Sequence, residues 1–150
     1  MADEERYTFS SLMSLLSEAE SKLKQLYETL AKEIGEPKLK SLLSDYDRNS
    51  SKRMEMMRRT RVESVVEFML EPITGLKLSE PIAAIKTAIE KQSLSSLEKA
   101  VTVERIISEL YSSASPKIMA TSADAGELLA RLSRESMERV HELEQYLKSR

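Results

Sequence analysis

From Phe9 to Ile34, apolar side chains return every three or four residues: Phe9, Leu12, Met13, Leu16, Ala19, Leu23, Leu26, Tyr27, Leu30, Ala31 and Ile34. Held for about seven turns, that spacing draws one apolar stripe along an α-helix and fits no strand. A stripe of this length must be covered by another element, and the rest of the chain offers more helices of the same kind. Gly35 reads as the cap that ends the first helix, and Pro37 as the first residue of the second. Leu39, Leu43, Tyr46, Met54 and Met57 carry the second stripe, with Met56 turned away from it. The helix is expected to run on through Val65, Val66, Phe68 and Leu70 to a stop at Glu71-Pro72.

Residues 72–81 hold Pro72, Gly75 and Pro81 and read as a connector, followed by a short apolar helix around Ile82–Ile89. Ser95 and Glu98 have capping-box spacing and open a third long helix, which Ser115-Pro116 is expected to break after about Ala114. Asp124 with Glu127 has the same spacing and opens a last helix ending near Leu147. Short links join helices one to two and three to four, so each pair should be an antiparallel hairpin, and the long middle segment lets one hairpin dock beside the other. The expected fold is all-α: a four-helix bundle spanning 1–150 as a single domain, two hairpins joined by a long crossover.

Composition closes off most alternatives. Three glycines and four prolines are too few for the turns of an all-β fold. The absence of cysteine excludes disulfides, thiolate metal sites and cysteine nucleophiles, and a single histidine, His141, excludes any mechanism needing two. The start, Met-Ala-Asp-Glu-Glu-Arg, is unlike a signal peptide, and no apolar run approaches the roughly 20 residues of a membrane span. The expectation is a cytoplasmic protein without a membrane partner. A net charge of −2 gives no general attraction to nucleic acid. No nucleotide loop, Ser/His/Asp arrangement or paired-carboxylate frame is present, so no catalytic residue is assigned.

The two hairpins repeat one another, over about 9–60 and 95–147. One offset carries Glu20 to Glu104, Leu26 to Leu110, Tyr27 to Tyr111 and Ile34 to Ile118; a slightly larger one carries Leu42-Leu43 to Leu128-Leu129, Arg48 to Arg134, Ser50 to Ser136 and Arg53 to Arg139. The change of offset implies a slightly longer loop in the second hairpin. A Glu followed seven residues later by Tyr on the first helix of each half, with Leu-Tyr-Glu-Thr-Leu-Ala and Glu-Pro-Lys-Leu-Lys-Ser-Leu-Leu in the first hairpin, resembles rubrerythrin and other ferritin-like di-iron proteins. The resemblance covers both hairpins. It implies a ferritin-like bundle whose second helices carry Glu-x-x-His in each half and bind iron or manganese for redox chemistry.

At those positions this sequence has Ser50-x-x-Arg53 and Ser136-x-x-Arg139. Serine is a poor ligand for such metals and an arginine cation repels them. Glu138-x-x-His141 is a literal match to the motif. On a wheel of about 100° per residue, however, it falls roughly 150° from the stripe that Leu129, Leu132, Val140 and Leu143 define. Glu20 and Glu104, by contrast, sit inside their apolar stripes, where a carboxylate is costly unless paired or ligated. A central buried polar cluster of Glu20, Tyr27, Ser50, Arg53, Glu104, Tyr111, Ser136 and Arg139 is therefore expected, with no metal and no cofactor. The arginines either pair with the glutamates in place of metal ions or snorkel out at the bundle margin.

Three features stay outside this cluster. The run holding Lys52, Arg53, Arg58, Arg59 and Arg61 lacks aromatics for base stacking and reads as a solvated face rather than a nucleic-acid site. Met54 and Met57 read as core filling, although methionines can also form adaptable patches. Val65, Val66, Phe68, Met69 and Leu70 surround their helix, which fits either packing under the crossover or a homodimer interface. The leading expectation is a non-enzymatic, metal-free ferritin-like protein with a structural or interaction role, acting as a homodimer. Its rivals are a rubrerythrin-type di-metal oxidoreductase and a nucleic-acid-binding helical module.

Overall fold

Thr8 opens the first helix. Its hydroxyl accepts from the Ser11 amide at 3.0 Å and the Ser11 hydroxyl accepts from the Thr8 amide at 2.8 Å, a reciprocal cap that serves two otherwise orphaned amides. In the computed structural model, which describes residues 5–63 and 71–149, the helices are α1 (Phe9–Glu33), α2 (Pro37–Glu63), α3 (Ser79–Glu90), α4 (Ser96–Met119) and α5 (Ala123–Lys148). The expected extension of the second helix through Val65, Val66, Phe68 and Leu70 lies outside the described residues. Among those described there is no strand; Tyr7 and Ile73 make one isolated antiparallel bridge. The described residues are all-α, with five helices: four long ones and the short α3 within the crossover.

α1 packs along α2 and α4 along α5; the two hairpins then meet through α1 against α4 and, more lightly, α2 against α5, while α3 lies on α4. Buried apolar side chains from all five helices form one cluster. The stripe read from the sequence of α1 is its buried face, from Phe9 and Leu12 to Leu30 and Ala31. Met57 is buried as expected on α2. Met56, however, is half-buried against the core and holds Arg131 Nη2 at 3.4 Å from its sulfur, so it does not point away.

The helix ends depart from the sequence reading in three places. Gly35 is not the cap of α1; Ile34 is, in extended backbone (φ −78°, ψ 130°), and among the described residues only Gly75 takes a positive φ. Ser122, rather than Asp124, caps α5 by accepting from the Ala125 amide. And α4 runs through Pro116 to Met119. A proline inside a helix costs a hydrogen bond and crowds the preceding turn, but here the hairpin contact holds the last turn. Ser115 Oγ donates to the Gly126 carbonyl at 2.7 Å, Ile118 is fully buried, and Gly126 lies so close to Met119 that a Cβ there would stand 2.7 Å from the Met119 Cα. This also accounts for the two different offsets at which the hairpin sequences were aligned. Both hairpin links have the same length, 34–36 and 120–122, so the extra residues sit in the end of α4 and not in a longer loop.

The chain start is tied to the crossover by Glu5. Its carboxylate accepts from the Leu78 amide at 3.0 Å, the Ser79 amide at 3.1 Å and the Ser79 hydroxyl at 2.7 Å, and from the Tyr7 hydroxyl, while Tyr7 and Ile73 exchange backbone hydrogen bonds. A carboxylate thus serves the free amides at the head of α3 from a distant part of the chain, where helix polarity favours negative charge.

Candidate functional site

Each long helix sends polar side chains into the interior from its apolar stripe. Glu20 and Tyr27 come from α1, Ser50 and Arg53 from α2, Glu104 and Tyr111 from α4, and Ser136 and Arg139 from α5; all eight are buried, with Glu20, Ser50, Arg53, Glu104 and Ser136 at 0% exposure. The structure brings them into one hydrogen-bonded network.

The connections are reciprocal between the hairpins. The Tyr27 hydroxyl of α1 donates to Glu104 of α4, and the Tyr111 hydroxyl of α4 donates to Glu20 of α1. Arg53 Nη1 donates to Ser136 Oγ at 2.9 Å, and Arg139 Nη1 donates to Ser50 Oγ at 3.2 Å. Each arginine also meets the glutamate of its own hairpin, Arg53 to Glu20 at 3.3 Å and Arg139 to Glu104 at 3.2 Å, and stands 3.7 and 3.9 Å from the glutamate of the other. Ser50 Oγ donates to Glu20 at 2.6 Å. Two carboxylates and two guanidinium groups make the centre neutral as a whole, the condition under which buried charge is tolerable. The side chains of Arg53 and Arg139 are 1% and 5% exposed, so they do not snorkel.

The surroundings of the two arginines differ. Arg139 lies over the Tyr46 ring at 4.9 Å and the Tyr27 ring at 5.8 Å, and the two rings themselves are tilted at 5.3 Å. Arg53 instead has Glu135 of α5 at 3.5 Å from Nη2. Tyr46 and Glu135 were not read as members of the site. Tyr46 had a signal, since it shares a stripe with Ser50 and Arg53 at helical spacing. Glu135, on α5 beside the stripe that holds Ser136 and Arg139, had none.

Burial sets the titration behaviour. It pushes Tyr27 and Tyr111 well above the ordinary phenol range, and the adjoining carboxylates, Glu104 and Glu20, push the same way. Both tyrosines are therefore neutral donors at physiological pH. Burial also raises Glu104, helped by the charge of Glu20, against the pull of Arg139 and Arg53. For Arg139 burial acts against the cation, but Glu104 and Glu20 outweigh it and hold it above its ordinary value.

The remaining sequence features lie elsewhere. Glu138 is exposed, and His141, 70% exposed, faces only Glu144 at 3.9 Å, so the literal Glu-x-x-His is on the outside of α5. The basic run on α2 does not form one face: Arg53 points inward, and Arg58 and Arg59 both pair with Glu55. Val65, Val66, Phe68, Met69 and Leu70 lie outside the described residues. Among the described residues no helix is long and apolar enough to cross a membrane, and no group of three or more His, Asp or Glu side chains is arranged to hold a metal ion. Comparison with known protein families, curated proteins and solved structures gives no match to this chain.

Proposed function

We propose that this chain is a ferritin-like four-helix bundle without metal, a structural or interaction protein in which two arginines do the electrostatic work that metal ions do in di-metal bundles. The observation that carries this reading is the position of Arg53 and Arg139. Their Nη1 atoms stand between Glu20 and Glu104, at 3.2 to 3.9 Å from both carboxylates. Iron and manganese, the metals that the rubrerythrin resemblance implies, do not fit this donor set. Guanidinium has no lone pair to give, carries the same sign of charge as the metal, and already pairs with the carboxylates that a metal would need. Di-metal bundles of this geometry draw carboxylates and histidines from all four helices, whereas here α2 and α5 contribute serine and arginine. No cofactor and no catalytic group belong to this reading; the cluster fixes how the hairpins meet.

The test is elemental analysis of protein purified from iron- and manganese-supplemented cells. The expected result is a metal content far below stoichiometric. One or two equivalents of iron, manganese or zinc per chain would reverse the reading in favour of a rubrerythrin-type oxidoreductase.

A further inference from the structure

The seam between α2 and α5 opens above the two arginines into a cleft of about 300 Å³. Its floor carries hydrogen-bonding groups that the protein does not use. Arg53 Nε and Nη2, Arg139 Nη2 and the Tyr46 hydroxyl are buried without a hydrogen-bond partner. Glu135 approaches Arg53 Nη2 to 3.5 Å, outside hydrogen-bond geometry. An unpaired buried donor is costly, so several around one cleft point to an acceptor that enters it.

The rim has the opposite character. Glu135, Glu138 and Glu142 lie three and four residues apart on α5, and so share one face. Glu135 is engaged by Arg53 and by Arg131 at 3.8 Å, whereas Glu138 and Glu142 are exposed and in no ion pair among the described residues.

These two layers select the ligand. The charges of Arg53 and Arg139 are already balanced by Glu20 and Glu104, so a simple anion would leave the interior negative and would have to pass three carboxylates. A simple cation would suit the rim but would offer nothing to the donors below. We propose that the α2–α5 cleft binds a small zwitterion of the amino-acid class, its carboxylate directed at Arg53, Arg139 and Tyr46 and its ammonium held by Glu138 and Glu142. The volume lies at the lower end of small-molecule pockets, which suits a ligand of that size.

The test is calorimetric titration of the full chain with L-lysine and 6-aminohexanoate, beside pentylamine and hexanoate as probes carrying one end only. Both zwitterions should bind at least about tenfold more tightly than either single-ended probe. Amide resonances over 46–53 and 135–142 should shift on binding. The double variant Glu138→Gln, Glu142→Gln, confined to exposed side chains, should keep its helical circular dichroism and lose about tenfold in affinity. Equal binding of pentylamine would mean that the rim alone acts, and equal binding of hexanoate that the floor alone acts; either overturns the proposal. So does the absence of saturation by both zwitterions at millimolar concentration, which would leave water as the cleft's occupant. Metal content plays no part in these readouts, so the proposal and the metal-free reading stand or fall separately.

Discussion

Arg139 shows how much one side chain can be asked to hold. It donates to Glu104 and Ser50, lies 3.9 Å from Glu20, and covers the faces of Tyr27 and Tyr46. Replacing it by methionine keeps most of the volume and removes the counter-charge, leaving two buried carboxylates facing one arginine. The expected loss is about 3–5 kcal/mol in urea unfolding. Removing the whole polar set at once, with Glu20→Leu, Glu104→Leu, Arg53→Met, Arg139→Met, Tyr27→Phe, Tyr111→Phe, Ser50→Ala and Ser136→Ala, should instead give a protein about as stable as the parent or more so, because the desolvation cost disappears with the charges and no hydroxyl is left without its partner. A single variant as stable as the parent would mean that the ion pairs contribute nothing. The members of this cluster could be read from the sequence because a glutamate inside an apolar stripe is an anomaly that demands a partner. Which arginine meets which glutamate could not. That depends on how two hairpins sit against each other, and the crosswise bonds from Tyr27 to Glu104 and from Tyr111 to Glu20 have no local signature.

At the scale of elements, the least legible contact is the one between the chain start and α3. Nothing in the spacing of Glu5 and Ser79 marks them as partners, since the bond joins two segments far apart in sequence and outside any periodic stripe. The Tyr7 hydroxyl, followed by Ser79, lowers the Glu5 carboxyl from 4.5 to about 2. Burial and the Glu5 hydrogen bond in turn push Tyr7 up to about 12. Because the folded value of Glu5 is the lower one, its contribution is complete above 4.5 and is lost as pH falls through about 2. The Leu78 and Ser79 amide resonances should therefore titrate with a midpoint near 2, and in Glu5→Gln this transition should vanish with increased proteolysis of the crossover. A midpoint near 4.5 would show that the carboxylate does not cap α3 in solution. Among the described residues helix existence was legible, and so were the Pro37 start of α2 and the Ser95–Glu98 cap of α4, whereas other helix ends were not. Pro116 is an ordinary stop signal overruled by the Ser115, Ile118 and Gly126 contacts with the neighbouring helix, and Gly35 was an ordinary cap signal left unused.

For the molecule as a whole, the repeat has a direct chemical test. If Ser50, Arg53, Ser136 and Arg139 occupy former ligand positions, the backbone still aims them at the centre. The combined variant Ser50→Glu, Arg53→His, Ser136→Glu and Arg139→His should then take up two equivalents of cobalt or iron with Glu20 and Glu104. Each single change should bind none, since an arginine or an incomplete shell remains. A well-folded combined variant that binds nothing would break the link to ferritin-like proteins. The reciprocal exchange between the hairpins has a further consequence, for uniqueness rather than strength. Greasy faces tolerate many alignments, and sliding α1 past α4 by one turn, about 5.4 Å, would still bury leucine against leucine. The same slip would carry Tyr27 away from Glu104 and Tyr111 away from Glu20 together, stranding both carboxylates. The polar centre thus works as a vernier between the two hairpins. In the variant with an all-apolar centre, unfolding should stay cooperative while methyl resonances broaden or double as neighbouring alignments become populated.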